Sequence, residues 1–368
     1  MKVQRGYKTE LHLNNVQMTA CLKHAGAARY TYNWGLNQKQ LAYANGEKTP
    51  NAIELHRRLN ALKPTELMWM YEVSKCSPQE ALRNLDRAFD NFFKKRGKFP
   101  RFKSKKNGIG GFRLTGTIKV TENSIQLPRL GVLKLKERGY LPTNAKILSA
   151  SISERSGRWF VSLQVEEDLP EYTGVKDKHD TVGVDLGIKT LATVSDGNVY
   201  KNPKPLKTKL RKLKRLQQSV SRKIKGSNNR KKATKKVARL YLKISNVRKD
   251  TLHKMTTTLA KTKRVVGIED LNVSGMMKNR CLARSIADLG LFELRRQLTY
   301  KGGWYGCKIV PVDRFCPSSK LCSVCGEINE NLTLADREWY CGGCGTHHDR
   351  DHNASVNLEN VAASSSET

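Results

Sequence analysis

The chain has 368 residues, with 68 Lys and Arg against 33 Asp and Glu and a net charge of +35. That length allows two or three compact units and excludes a single small module. The charge far exceeds what solubility requires and points to a polyanionic partner, because Lys and Arg that neutralise phosphates release counterions; a very basic structural or ribosomal protein is the alternative on charge alone. No run of about 18 apolar residues occurs, so no membrane span is predicted. The opening Met1-Lys2-Val3-Gln4-Arg5 lacks the apolar core of a secretory signal. An intracellular setting with reduced thiols is expected, where nine cysteines read as ligands or lone thiols rather than disulfides.

Taken in order, Tyr7 to Leu13 read as a strand and about 15 to 95 as helices. The clearest helix is predicted to start at Ser77-Pro78, a capping residue followed by a first-turn proline. It carries Ala81, Leu82, Leu85, Ala88, Phe89, Phe92 and Phe93 at helical spacing, a stripe read as core. Residues 94 to 106 then hold eight Lys or Arg in thirteen positions. Phe99 and Phe102 stand among them around Pro100, a mixture suited to backbone phosphate and unpaired bases. Lys94, Lys95, Arg96, Lys98, Arg101 and Lys103 are the candidate contacts.

From Gly110 to Val165 the apolar period becomes two. Phe112 and Leu114, Ile118 and Val120, and Ile125 and Leu127 alternate around turn residues, and Trp159, Val161, Leu163 and Val165 form one alternating strand. A small antiparallel sheet or barrel follows. The charged stretch from Asp168 to Asp180 is read as a separator before the next unit.

Thr181 to Gly187 is an apolar run with Asp185 near its end. Residues 201 to 250 contain twenty Lys or Arg and one acid, Asp250, which is more than half the net charge. They read as a helical hairpin. Leu206, Leu210, Leu213, Val220 and Ile224 lie on one arm, a break falls at Gly226 to Asn229, and Val237, Leu240, Ile244 and Val247 lie on the return. Such density of one sign self-repels without a polyanion nearby. Lys212, Arg215, Arg222, Lys231, Lys232 and Lys235 are therefore further candidate nucleic-acid contacts. Arg264 to Glu269 is a second apolar strand ending on an acid. A helix over about 283 to 300 and a strand over 308 to 312 follow, and the small polar tail after Val361 is expected to be disordered.

Cys322-x2-Cys325, fifteen residues, then Cys341-x2-Cys344 is zinc-ribbon spacing. Each pair offers two thiolates from a tight turn, so one Zn²⁺ with a closed tetrahedral shell is read as structural. His347 and His348 could substitute as ligands, but four sulfurs already complete the shell. Cys21, Cys76, Cys281, Cys307 and Cys316 are read as ordinary thiols.

Asp185 and Glu269 each end an apolar strand, where an acid faces solvent or a metal because an unpaired buried carboxylate is costly. A third acid lies in Asp349-Arg350-Asp351-His352-Asn353-Ala354, the start of a helix whose N-terminus favours negative charge. Two strand acids and one helix acid suit a ribonuclease H-like fold that holds two divalent ions about 3.5 to 4 Å apart. Singly, such acids are more often caps or salt-bridge partners.

The order of these features resembles TnpB, the RNA-guided nucleases of bacterial and archaeal insertion sequences, whose RuvC-type domain recurs in type V CRISPR effectors. The resemblance runs through Tyr30-x-Tyr32-Asn33-Trp34, Phe99-Pro100-Arg101-Phe102-Lys103 and Gly183-Val184-Asp185-Leu186-Gly187. It continues through Gly267-Ile268-Glu269-Asp270-Leu271 and Pro317-Ser318-Ser319-Lys320 before Cys322-x2-Cys325-Gly326, and closes with Asp349-Arg350-Asp351-x-Asn353-Ala354. It implies that Asp185, Glu269 and Asp351 are catalytic and hold two Mg²⁺ ions. Asp196, Asp270 and Asp349 are nearby decoys, and Asp351 is preferred to Asp349 because the family's acid directly precedes x-Asn-Ala.

The resemblance further implies an architecture of α/β, all-β and helical lobes. A wedge-like β-barrel is expected over 1–14 and 107–172, with a helical recognition lobe over 15–106. A RuvC-like nuclease domain is expected over 173–315 and 346–358, carrying the basic hairpin 204–262. A zinc ribbon (316–345) and a disordered tail (359–368) complete the organisation. Implied partners are a structured guide RNA and a double-stranded DNA target beside a short flanking motif, with base pairing reading sequence, in the prokaryotic cytoplasm and on the nucleoid, as a monomer on the RNA. Two alternatives share the fold: a transposase acting on its element's ends without RNA, and a non-cleaving RNA-guided repressor.

Overall fold

The computed structural model describes residues 1–169, 181–333 and 335–367. Most of the expected separator, 168–180, lies outside them. The chain divides into two units, Met1–Leu169 and Pro170–Thr368. Among the described residues no helix is long and apolar enough to cross a membrane.

The first unit opens with β1 (Lys2–His12), then α1 (Asn15–Ala44), α2 (Ala52–Leu62) and α3 (Cys76–Phe93). The Asn14 side chain accepts from the Gln17 amide while the Gln17 side chain reaches back to Asn14, a capping box that starts α1. Six strands follow: β2 (Gly111–Leu114), β3 (Lys119–Val120), β4 (Ser124–Leu127), β5 (Gly131–Leu135), β6 (Lys146–Arg155) and β7 (Arg158–Asp168). The sheet order is β2-β6-β7-β1-β5-β4-β3. No ladder joins β2 to β3 among the described residues, so where a barrel was expected the hydrogen bonding is that of an open seven-stranded sheet. Trp159, Val161, Leu163 and Val165 are all buried, as their alternation requires.

The helices and this sheet share one core, in which Cys21, Ala28, Leu36, Leu82 and Leu85 meet Phe112, Leu114, Ile152 and Val161. Two local expectations are corrected. Ser77 does not cap α3: the helix begins at Cys76, and the Ser77 hydroxyl donates to the His24 carbonyl at 3.0 Å. The core also ends before the apolar stripe does. Phe93 is 71% exposed, and Phe89 and Phe92 meet the Phe99 ring edge-on at 5.5 and 5.3 Å.

The second unit contains β8 (Thr181–Asp185), β9 (Thr190–Val194), β10 (Val199–Lys201), α4 (Pro205–Ser221) and α5 (Asn228–Thr262). These lead to β11 (Val265–Glu269), α6 (Val273–Met276), α7 (Ala283–Leu289), α8 (Leu291–Tyr305) and β12 (Lys308–Val312). The small hairpin β13 (Glu338–Tyr340) and β14 (His347–Asp349) precedes α9 (Arg350–Glu367). The main sheet runs β10-β9-β8-β11-β12, with β8, β11 and β12 parallel and β9 antiparallel to β8. Strands covered on both faces read as continuous apolar runs, which explains the sequences of β8 and β11.

Alternation decides what each face carries. Val182, Val184, Val266 and Ile268 join Leu252, Met255 and Leu259 of α5 and Leu294 and Leu298 of α8 in one core. On the other face lie Gly183 and Gly267, where α9 packs so closely that a Cβ on Gly267 would stand 2.6 Å from the Leu358 carbonyl oxygen. A Cβ on Gly183 would run into the Ser355 carbonyl oxygen and the Glu359 amide. Glycine is therefore needed at both positions for the helix to approach the sheet.

The basic hairpin is formed by α4 and α5, with Leu213, Leu240 and Ile244 as its seam. Asp288 fixes its root, accepting the Leu206 amide at 2.9 Å and pairing with Arg248 at 2.7 Å. Ile224 is 82% exposed, because α4 ends at Ser221 and leaves it in the turn. The helix expected over 283 to 300 is two helices, broken at Gly290 with φ +77°. The tail expected to be disordered is corrected: α9 continues to Glu367. Ala354, Leu358 and Ala362 form its fully buried stripe, Lys308 Nζ donates to the Ser365 carbonyl at 3.0 Å, and Ser364 and Ser365 bond back one turn.

Candidate active site and metal centre

Because side chains alternate along a strand, Asp185 shares the face of Gly183 and Glu269 the face of Gly267, so both acids look toward α9. The ladder pairs Val184 with Ile268, which makes the two acids neighbours at the ends of adjacent parallel strands. Helix α9 runs antiparallel to these strands, with Ala362 beside Val265, Leu358 over Gly267 and Ser355 over Gly183. Asp351 lies one turn before Ser355, about 6 Å along the helix axis. Two residues of strand span a similar length from Gly183 to Asp185. The third acid therefore arrives at the end of the sheet where the first two stand.

The electrostatics agree with this placement. Burial pushes the Asp185 carboxyl up to about 7, and the charges of Glu269 and Asp351 push it the same way, against Arg350 and the Leu186 amide. Asp351 pairs with Arg350 at 3.3 Å and Arg337 at 3.6 Å. The cluster is looser than a closed metal cage: among the described residues, only the four cysteines place three or more candidate ligand atoms within 4.8 Å of one another. Three carboxylates converging with one of them half-buried are a hard-oxygen donor set that suits Mg²⁺, and a divalent cation offsets the partial burial of Asp185.

The three decoy acids have other work. Asp196 pairs with Lys263 at 2.9 Å, and its carboxyl is held below the usual range by that hydrogen bond against some burial. Asp270 is clamped between Arg295 and Arg314, the latter at 2.7 Å. Asp349 accepts the His352 amide at 2.8 Å and so caps α9. Both Asp349 and Asp351 fit a helix start in sequence, and the cap bond separates them.

The four sulfurs expected to bind zinc come together, with Cys322 and Cys344 3.7 Å apart and Cys325 and Cys341 3.4 Å apart. A tetrahedral zinc with Zn–S of about 2.3 Å needs sulfurs about 3.8 Å apart, so the site fits the ion. Two equivalent knuckles build it. In each, the glycine after the second cysteine takes positive φ, +79° at Gly326 and +69° at Gly345. Each glycine amide donates back to the first cysteine's carbonyl, at 3.0 and 2.9 Å. His348 lies under Trp339 with Nε2 3.1 Å from Cys322 Sγ, and His347 faces Glu338. Cys21, Cys76, Cys281, Cys307 and Cys316 take part in no disulfide among the described residues.

The side chains that tie these sites together carried no assigned role in sequence. Buried Asn353 donates to the Leu321 carbonyl at 2.7 Å and accepts the Ser323 amide at 3.0 Å. Asn357 donates to the Ser318 and Leu321 carbonyls at 2.8 and 2.7 Å, and Ser318 Oγ donates to Glu269 Oε1 at 3.0 Å. Asparagines on a buried helix face, four residues apart, were the available signal.

Of the basic candidates, Lys94, Lys95, Arg96, Lys98 and Arg101 are exposed in the first unit. Lys103 is exposed as a residue too, but its ammonium lies 3.7 Å from the Tyr32 ring centroid, and partial burial there lowers its pKa. In the second unit Lys212, Arg215, Arg222, Lys231, Lys232 and Lys235 are all exposed. The hairpin's one acid up to residue 250, Asp250, is already paired with Lys254 at 2.8 Å.

Three family descriptions match the sequence: "Probable transposase" over residues 160–280, "Cas12f1-like, TNB domain" over 292–358, and "Helix-turn-helix domain" over 1–48. Across that last region the structure has one strand and one continuous 30-residue helix. A protein of Streptomyces pristinaespiralis, provisionally named an RNA-guided DNA endonuclease, is 39% identical over 97% of this chain and 89% of its own length. One of Escherichia coli K12, with the same provisional name, is 33% identical over 93% of this chain and 88% of its own. The fold is like that of Cas12f1 in its cryo-EM complex with guide RNA and target DNA, with TM-score 0.56 and 16% identity over 94% of this chain and 82% of that one. Identity of this extent along nearly the whole of both sequences means that the chain belongs to the TnpB family, the OrfB proteins of IS605-type elements.

Proposed function

We propose that this protein is an RNA-guided DNA endonuclease of a mobile element, which binds a structured guide RNA and cuts complementary DNA beside a short flanking motif. The observation that carries the reading is the meeting of Asp185, Glu269 and Asp351 at one end of the sheet, in a chain whose charge of +35 demands a polyanion. The relatives' names and the Cas12f1 likeness support the guide and target. A repressor has no use for three converging acids, and a plain transposase has no use for an RNA.

In this reading Asp185, Glu269 and Asp351 hold two Mg²⁺ ions. Bound there, the ions would supply Lewis acidity to activate water and positive charge for the leaving oxygen of the phosphodiester. The half-buried position of Asp185 partly shields its carboxylate from bulk water, and Arg350 favours its charged form. The four cysteines hold one structural zinc, and the basic hairpin and the 94–106 segment hold nucleic-acid backbone. Sequence reading is left to base pairing, by the logic of RNA-guided effectors. The test is to purify the protein, sequence the RNA that travels with it, and supply DNA matched to that RNA with Mg²⁺. Cleavage of the matched duplex alone is expected. An intact target in a matched, Mg²⁺-loaded complex, or a protein that carries no RNA yet joins its element's ends, overturns the proposal.

A further inference from the structure

Ser318 is almost wholly buried, at 3% exposure, although it lies in a turn between β12 and the zinc knuckle. Both of its polar ends are committed. Its carbonyl accepts from Asn357 at 2.8 Å and from Asn353 at 3.5 Å, and its hydroxyl donates to Glu269 Oε1 at 3.0 Å. Asn353 and Asn357 lie on α9, whose first turn carries Asp351. The helix that delivers one acid thus grips the backbone of the residue that holds another. The same asparagines hold Leu321 and Ser323 on either side of Cys322, so the turn is fixed from the knuckle as well.

We propose that Ser318 is a positioning residue for the nuclease site. It orients the Glu269 carboxylate by one oxygen and leaves the other to a divalent cation, and Asn353 and Asn357 set the reach of its hydroxyl. The inference rests on the reading of Glu269 as a metal ligand. A carboxylate at a strand end turns freely about its side-chain torsions, and the three like charges favour its swinging away from Asp185 and Asp351. A hydrogen bond from a buried hydroxyl on a fixed backbone removes that freedom without adding a charge. Groups that orient metal ligands in this way alter metal affinity or rate by about 10- to 100-fold when removed.

The experiment compares wild type, Ser318→Ala, Ser318→Thr and Glu269→Gln as full-length protein with bound RNA. Mn²⁺ binding is followed by electron paramagnetic resonance and cleavage by Mg²⁺ titration, with thermal melting and zinc content alongside. Ser318→Ala should weaken Mn²⁺ binding at the site and raise the Mg²⁺ needed for half-maximal cleavage by about tenfold or more, with melting, zinc content and DNA binding unchanged. Ser318→Thr, which keeps the hydroxyl, should restore most of the metal affinity. If Ser318→Ala binds Mn²⁺ like wild type while Glu269→Gln does not, the positioning role is overturned and the reading of Glu269 stands. If Glu269→Gln itself binds and cuts normally, the reading beneath the proposal fails. Loss of zinc or of melting temperature in both Ser318 variants, with no rescue by threonine, also overturns the proposal, because Ser318 then serves the fold alone.

Discussion

Asp185 sits where its own charge is unwelcome, so removing that charge should make the metal-free protein more stable while abolishing its chemistry. An unfolded aspartate titrates near 3.8 and the folded Asp185 carboxyl near about 7. Well below pH 3.8 both states are protonated and the side chain adds no penalty. Between pH 4 and 7 the unfolded chain releases its proton first, so the native state loses ground as pH rises, and above about 7 the loss is complete. At roughly 1.4 kcal/mol for each tenfold change in proton affinity, the penalty reaches up to about 4 kcal/mol at pH 8. Asp185→Asn removes it and keeps the side-chain volume. The variant's second unit should melt up to about 10 °C above wild type at pH 8, with the difference narrowing to roughly a quarter of that by pH 4.5. Scanning calorimetry in buffer without added magnesium, and without a chelator that would strip zinc, measures this. Magnesium should reverse the order, because ligand binding stabilises wild type by mass action and the variant far less. Equal melting at pH 8, or a difference that does not change with pH, would refute the reasoning that this acid is buried beside like charges.

Gly183→Ala places a methyl group against backbone atoms of α9, which have no side-chain freedom to move aside. It should destabilise the second unit by about 3 kcal/mol and lower cleavage with it, as read by urea unfolding and single-turnover rates. Replacing Lys231, Lys232 and Lys235 together by alanine should reduce the slope of log binding constant against log salt for RNA by up to about 2, since each single-strand phosphate contact contributes about 0.7. Cys344→Ser should lower zinc content and expose 321 to 349 to hydrogen exchange, with the Asn353 contacts to Leu321 and Ser323 loosening next.

The parts legible in sequence are those where one periodicity or spacing leaves a single physical solution. Trp159 to Val165 alternate and form a half-buried strand, the seam of Leu213, Leu240 and Ile244 closes the basic hairpin, and two knuckles at zinc-ribbon spacing bring four sulfurs together. The runs ending at Asp185 and Glu269 were readable as strands, and the parallel register that makes the acids neighbours adds what a linear sequence lacks. What escaped depends on contacts between distant residues. Gly290 is one residue in a helical pattern until its positive φ breaks the chain into two helices. The Ser- and Ala-rich tail has little apolar character of its own, yet Ala362 packs against Val265 and Val310, and that packing extends α9. Ser77 has the chemistry of a cap and spends it on the His24 carbonyl instead. Ser318 stands in the Pro317-to-Lys320 run of the resemblance without a role of its own, since its value lies in a hydrogen bond to a residue 49 positions away.

The central claim is tested most directly by single-turnover cleavage of a matched DNA duplex with Asp185→Asn, Glu269→Gln and Asp351→Asn, each assembled with the same RNA. Asp196→Asn, which disturbs the pair with Lys263 and the bond from the Asn198 amide, serves as the control. Each of the three substitutions should slow cutting by at least about 100-fold with DNA binding retained, while the control cuts at the wild-type rate. Cutting that survives in any of the three, or that falls equally in the control, contradicts a shared metal site at 185, 269 and 351.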